Sequence, residues 1–202
     1  MKKLSAIAVV GALPLLAGCF DLEQGLSVES DGTATFVSEI AMDTETMNMI
    51  AAMGEGEAEP LCTDIDADDL PDSFEVTSEE FMRDNDTVCR TVAVGPIDEL
   101  VDTMAVVVGD DEGQETTLVA EGNGVYVFNT TLTSEDAGLG DMGDPEIMAL
   151  FEDRTVTFFV TAPNIIETNG EVDGNTATLV IPTLDLMSET GNEYSLFVRF
   201  GL

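Results

Sequence analysis

The feature that most constrains this chain is a set of glycine-containing turns between short stretches of alternating apolar and polar residues. Such turns occur at Asp31-Gly32, Gly122-Asn-Gly124, Asn169-Gly170 and Asp173-Gly174. Asp-Gly and Asn-Gly favour tight hairpin loops, because these residues tolerate the positive φ that the loops require. The pattern therefore predicts a sheet built mainly from antiparallel neighbours.

The alternation and the helical spacing together give a predicted element order. Strands are expected over 26–30, 33–42, 74–82, 87–94, 115–121, 125–132, 154–161, 165–169, 176–181 and 194–200. Short helices are expected over 44–53, 97–105 and 144–152, with an acidic loop over 54–72. We therefore predict an α+β fold, mainly antiparallel β-sheet with two or three short helices, as a single domain over 26–202.

The N-terminus has the three parts of a secretory signal. Lys2 and Lys3 precede an apolar run over 4–16, which is too short to span a bilayer as a permanent helix. Leu16-Ala-Gly-Cys19 then resembles the bacterial lipobox. We expect residues 1–18 to be cleaved and Cys19 to carry a diacylglycerol, with residues 19–25 as a short tether. Two or three acyl chains hold a protein on a membrane almost permanently.

The residue after the lipidated cysteine bears on location. Lipoproteins retained in the inner membrane typically carry aspartate at that position, whereas this chain has Phe20. In a cell with two membranes, the expectation is therefore the periplasmic face of the outer membrane.

The charge balance is strongly acidic. The chain has 41 acidic and 6 basic residues, and without the leader its only basic residues are Arg83, Arg90, Arg154 and Arg199. This excludes binding to a nucleic-acid backbone, which needs a basic surface. Two explanations remain, a cationic partner and adaptation to high salt, and the even spread of acids favours salt adaptation. The fold is then expected to weaken in low salt.

The sequence lacks the residues of common catalytic sites. It contains no histidine, and no lysine follows Lys3. Serine-histidine, cysteine-histidine, serine-lysine and histidine-metal sites are therefore excluded. Paired carboxylates could hydrolyse glycosides, but the chain has no tryptophan and only Tyr126 and Tyr194 to stack on a sugar. The prediction is a protein that is not an enzyme.

Cys62 and Cys89 are the two cysteines that remain after Cys19. In an exported chain, two such residues usually form a disulfide, although two free thiols are the alternative. The loop between them has moderate length. In the chain-entropy model a disulfide across it contributes roughly 3 to 4 kcal/mol.

The acidic loop contains a candidate calcium site. Its acids occupy positions 1, 3, 5, 9 and 12 of the calcium-loop template, namely Asp64, Asp66, Asp68, Asp72 and Glu75. Asp69 and Pro71 oppose the assignment, because the template needs glycine at the first of these positions and a backbone N–H at the second. The alternative is a solvated acidic loop held by the disulfide.

Methionines provide a candidate apolar surface. Met47, Ile50 and Met53 lie on one side of the predicted helix over 44–53. Methionine adapts to varied apolar ligands, so this side could close over a groove that holds one. Ordinary core packing is the alternative.

The C-terminal third resembles a known family. The stretch 161–179 carries Asn169-Gly170 and then Asp173-Gly174-Asn-Thr176 before a strand. With the N-terminal hairpin over 26–40, it resembles the LppM-like lipoproteins, although Asn164 and Leu179 depart from the family pattern. The resemblance implies an α+β fold and a suggested lipid or glycolipid ligand. It implies no catalytic residues, and we interpret the turn motif itself as a folding signature.

Three functional hypotheses follow. The first is a membrane-anchored, non-enzymatic module that holds a lipid or another apolar ligand between sheet and helix. The second is a structural or assembly lipoprotein that acts through contacts with an unidentified protein partner. The third is a calcium-dependent module, and no other cofactor is expected.

Overall fold

A computed structural model describes residues 20–44, 46–47, 61–62, 71–108, 113–133, 151–188 and 192–202. Within these residues the strands are β1 (Phe20–Val28), β2 (Thr33–Asp43), β3 (Glu75–Arg83), β4 (Asp86–Pro96), β5 (Gln114–Gly122), β6 (Val125–Thr133), β7 (Thr155–Thr161), β8 (Asn164–Thr168), β9 (Glu171–Asp173), β10 (Thr176–Pro182) and β11 (Glu193–Gly201). Two helices lie wholly within these residues, α1 (Ile97–Val108) and α2 (Thr183–Ser188), and Thr44, Thr46 and Met47 are also helical.

The strands form two sheets. Sheet A has seven strands in the order β3-β4-β2-β1-β7-β10-β9, and sheet B has four in the order β5-β6-β11-β8. Every pairing is antiparallel except that of β1 with β7, which is parallel. The predicted α+β class, mainly antiparallel sheet with short helices, is therefore confirmed.

The first hairpin follows its Asp-Gly signal. Gly32 has a φ of +87°, and the Thr33 amide donates a 2.9 Å hydrogen bond to the Asp31 carboxylate. That hydrogen bond lowers the pKa of Asp31. The strand before the turn is longer than predicted, because β1 begins at Phe20 and pairs with both β2 and β7. Residues 20–25, expected as a tether, therefore belong to sheet A.

Large apolar side chains fill the space between the sheets. Sheet A contributes Leu26 and Phe158, and sheet B contributes Phe128, Leu196 and Phe200, all of them fully buried. Burying one such side chain contributes roughly 1.5–3 kcal/mol relative to leaving it exposed. The facing sheets are thus held by a packed apolar core.

A polar row also crosses the interior. The Gln114 amide donates to Gln24 Oε1 at 2.6 Å, which links sheet B to sheet A. Gln24 in turn donates to Ser38 Oγ at 3.2 Å, and Thr116 and Thr130 share a 2.8 Å hydrogen bond within sheet B. Because Gln24 and Thr130 are buried, these partners replace water, and the bond between Gln114 and Gln24 favours one relative position of the two sheets.

Helix α1 confirms the prediction of a helix beginning at residue 97. Ile97, Leu100 and Met104 are buried, at the three- and four-residue spacing of one helix face. The helix packs against β2, β4 and β5. Tyr126 on β6 fixes it further, since its hydroxyl donates a 2.7 Å hydrogen bond to Asp98 in the first turn. This bond is the largest cause that raises the pKa of Tyr126 to about 12.

Helix α2 and strand β9 were not predicted, because each is too short to establish a period. Most of the helices predicted over 44–53 and 144–152 lies outside the described residues. Of the helices that are described, none combines the length and the apolarity needed to cross a membrane.

The predicted disulfide is confirmed. Cys62 and Cys89 are joined, with their Cα atoms 5.1 Å apart. The bond fastens residue 62 to β4, one strand in from the edge of sheet A.

Candidate functional site

The chain crosses from one sheet to the other near residue 170. Strand β8 is an edge of sheet B, and β9, which follows it, is an edge of sheet A. The two edges lie beside each other where the sandwich opens. The crossing falls inside the stretch 161–179, which carried the family resemblance.

Asn169 and Gly170 make the crossing in a way that the turn rule did not predict. Asn169 accepts the Phe197 amide at 2.7 Å and donates to Ser195 O at 2.9 Å, so its side chain continues the pairing with β11. A Cβ on Gly170 would lie 2.7 Å from Leu196 and 2.8 Å from the Thr178 carbonyl oxygen. Gly170 is therefore required by close packing and not by a positive φ. Gly174, with a φ of +61°, does fit the turn rule.

A cleft lies between the two edges. It has a volume of about 340 Å³, opens widely to solvent, and is lined by residues 163–168 of the β8 side and by Val172, Gly174 and Asn175. Ile166 and Val172 are 43% and 49% exposed, so each presents apolar surface to solvent. We call the cleft that these residues line the edge cleft.

The edge cleft combines backbone groups with negative charge. Among the described residues, β8 pairs only with β11 and β9 pairs only with β10. The outer side of each strand therefore offers N–H and C=O groups to a ligand. Glu167, Glu171 and Asp173 are exposed around it. The cleft can consequently accept an extended chain that supplies hydrogen bonds and positive charge.

A second cleft, of about 290 Å³, lies on the outer face of sheet A where β1 begins. Its lining includes Glu39 and Arg83, which form a 2.6 Å ion pair. Arg90 also approaches Glu39, at 3.9 Å. The principal charges of this surface are thus engaged with one another.

Arg154 organises the same end of sheet A. Its guanidinium donates two hydrogen bonds to Asp86, at 2.7 and 2.9 Å, and one to Asp21 at 2.9 Å. Asp21 also accepts the Thr155 amide at 2.7 Å. The hydrogen bonds from Arg154 hold the pKa of Asp86 below its usual range, and that of Arg154 is raised. We name Arg154, Asp86 and Asp21 the arginine cluster.

The arginine cluster joins the starts of β1, β4 and β7, and sequence reasoning missed it. The only available signal was that four arginines stand among 41 acids, so that each was certain to find a carboxylate. Nothing in the sequence indicated which carboxylate each arginine would bind.

The predicted lipid and ligand residues are mostly outside the described part of the chain. Cys19 and residues 1–18 lie outside it, as do Ile50 and Met53, whereas Met47 is described and half-buried. The groove predicted beneath residues 44–53 therefore stays a prediction.

The predicted calcium residues are similarly divided. Asp64, Asp66 and Asp68 lie outside the described residues. Asp72, just before β3, and Glu75, its first residue, are both exposed. Within the described ranges, no group of three or more acidic, cysteine or histidine side chains is arranged to hold a metal. Calcium binding by the full loop stays a prediction.

Comparison with solved structures places the fold. The chain is similar to the folded domain of Mycobacterium tuberculosis LppM, solved by NMR, with a TM-score of 0.58 and 12% sequence identity. The match covers 91% of this chain and 90% of that one. The sequence matches no family model and no curated protein. The chain therefore has an LppM-like fold, while membership of the family at the sequence level stays a prediction.

Proposed function

We propose that this chain is an exported lipoprotein, anchored to a membrane through Cys19, that acts without catalysis by binding another protein at the edge cleft. The lipobox at residues 16–19 supports the anchor. The LppM-like fold agrees with a lipoprotein domain. The observation that carries the choice of partner is the exposed pair of strand edges that forms the cleft.

A lipid ligand fits this cleft less well than a polypeptide does. An acyl chain laid along β8 would remove backbone N–H and C=O groups from water without replacing their hydrogen bonds, at a cost of roughly 1–3 kcal/mol each. An extended polypeptide replaces them. Between the two sheets, Phe128, Phe158 and Phe200 already fill the space, so a lipid would find no room there.

The position of the cleft also favours a protein. Strand β1 begins immediately after Cys19, and Ser27 near its far end is level with Thr161 at the end of β7. The cleft starts at Pro163, just past that point. The run from Phe20 to Ser27 spans about 23 Å at the rise of an extended strand. With Cys19 in the bilayer, the cleft is then presented away from the lipid surface.

Membrane fractionation tests the anchor. The variant Cys19→Ser should leave the membrane fraction, whereas the wild-type chain stays in it until detergent is added. Labelling with a fatty-acid analogue should be lost in the same variant. A Cys19→Ser chain that remained on the membrane and kept its label would overturn the anchoring proposal.

Native mass spectrometry tests the choice of partner. The full chain, purified in mild detergent and released in the gas phase, should have the mass of the polypeptide from Cys19 plus its covalent acyl groups. A further lipid bound at one copy per chain would replace the protein-binding proposal with the lipid-binding hypothesis.

A further inference from the structure

We propose that the partner contributes an extended segment that adds to sheet B as a fifth strand beside β8, with basic residues alternating with apolar ones. This inference rests on the proposed function and specifies its partner. Strand addition supplies main-chain hydrogen bonds for affinity, and alternate side chains then determine specificity. Three features of the edge cleft support it.

The first feature is that β8 is the most accessible template among the edge strands. Strand β5 is packed against α1, and β3 is partly covered by the disulfide-bonded Cys62, whose Sγ lies 3.4 Å from the Glu79 carbonyl oxygen. Strand β3 carries four charged side chains and β5 carries two, and charged side chains are a common protection of edges. Strand β9 is only three residues long. Strand β8 offers five residues, including adjacent Ile165 and Ile166.

The second feature is an excess of negative charge. Glu167 lies opposite Arg199 in the register with β11, but Arg199 Nε forms a 2.7 Å ion pair with Glu121. Glu171 and Asp173 add further exposed carboxylates on β9. A basic segment is attracted to this edge, and a second copy of the same acidic edge is repelled.

The third feature is the apolar pair within the cleft. Ile166 and Val172 reach it from opposite sides, one from each sheet edge, and both are about half exposed. In an extended segment successive side chains point to opposite faces. A segment that alternates apolar and basic residues can therefore place the apolar ones against this pair while the basic ones meet the carboxylates.

The test uses the full lipidated chain in phosphatidylcholine nanodiscs and a fluorescent peptide of alternating lysine and valine, roughly seven residues long to match a strand. Fluorescence anisotropy should show saturable binding, with empty nanodiscs as the blank. Hydrogen exchange should slow in the fragments that cover 163–175. Slower exchange elsewhere, with no change in these fragments, would overturn the assignment of the site.

Two control peptides separate strand addition from charge attraction. One carries a methyl group on the backbone nitrogen of each lysine and the other on that of each valine. The methylation removes backbone amide donors but leaves the charge of the peptide unchanged. Strand addition requires at least one of them to lose binding about tenfold or more. Equal binding of both controls and the parent would refute the proposed mode. A lysine-serine peptide should also bind more weakly, because it lacks the apolar contacts.

Paired variants locate the site on the chain. Glu167→Lys should weaken binding at least about fivefold, whereas Glu115→Lys, with the same charge change at the opposite edge of sheet B, should have a much smaller effect. Val172→Asn, which removes the apolar contact without adding charge, should weaken binding about tenfold, and Val119→Asn, at a comparably exposed site (52%), should not. Equal effects within either pair would remove β8 and β9 as the site.

The outcomes also separate this inference from the proposed function. Absence of peptide binding together with a mass free of extra lipid would refute strand addition alone. Absence of peptide binding together with a stoichiometric lipid would refute both. A concentration-dependent dimer that Glu167→Lys strengthens or abolishes would identify a second copy as the occupant and would overturn the basic-peptide proposal.

Discussion

Replacing Arg154 with methionine should destabilise the fold by about 2–3 kcal/mol, because the change leaves Asp86 and Asp21 without their shared cation. Exposed ion pairs contribute about 0–1 kcal/mol, and breaking a fully buried pair costs about 3–5 kcal/mol. The side chains of Arg154 and Asp86 are 18% and 20% exposed, which places this pair between the two limits. Asp21 is more exposed and adds less.

Urea unfolding at fixed ionic strength measures the effect, since urea does not screen charges. With a slope of about 2 kcal/mol per molar urea, the midpoint should fall by about 1–1.5 M. Arg199→Met is the matched control, because it makes the same chemical and net-charge change at the exposed pair with Glu121. It should cost less than about 1 kcal/mol. Equal losses in the two variants would show that net charge, and not the geometry of the cluster, determines stability.

The pH dependence gives an independent check. Arg154 lowers the pKa of Asp86 in the folded chain, so the contribution of Asp86 to stability is present above its unfolded pKa of about 3.9. The contribution is lost as the pH falls through the lower pKa of the folded state. The difference between wild type and Arg154→Met should therefore shrink in acid. A difference that stayed constant from neutral pH to below pH ~3 would contradict the assignment to Asp86.

Three further predictions concern the core, the disulfide and salt. Tyr126→Phe should cost about 1 kcal/mol in urea unfolding through the lost hydrogen bond to Asp98. Because the folded pKa of Tyr126 is about 12 against an ordinary 10, this contribution should be complete below pH 10 and lost towards pH 12, as followed by tyrosinate absorbance. Joint replacement of Cys62 and Cys89 by alanine should lower the free energy of unfolding by about 3–4 kcal/mol, and a reductant should then have no further effect. The thermal midpoint should rise with salt up to about 1 M, since the full chain carries a net charge of −35; a flat response would remove salt adaptation as the explanation.

Local patterns predicted much of the sheet. The hairpins β1–β2, β3–β4 and β5–β6 follow from alternation and from the short turns between their strands, which are neighbours in sequence. The first helix follows from the spacing of Ile97, Leu100 and Met104. The disulfide follows from the count of cysteines in an exported chain. Each of these inferences depends on residues close in sequence or on a very small set of partners.

Pairings between distant segments could not be predicted in the same way. β1 and β7 pair in parallel although more than a hundred residues separate them, and no turn signal marks such a contact. Gln24 interrupts the apolar alternation at the start of β1, so this part of the strand has no clear period of two. Gln24 is buried only because Gln114, from sheet B, supplies its partner. An alternation of apolar and polar residues with a period of two predicts which side of a strand faces inward. It does not predict which strand lies beside it.

The edge cleft shows why a motif can be visible in the sequence while its place in the fold is not. Asn169-Gly170 is visible in the sequence, and turn chemistry alone explains it as a folding signature. Its role depends on Leu196 and Thr178, which belong to different sheets and meet only at the crossing. Once Gly170 brings the two sheets together there, β8 and β9 become neighbouring free edges among the described strands. The glycine that allows the fold to close therefore also creates the surface that we assign to binding.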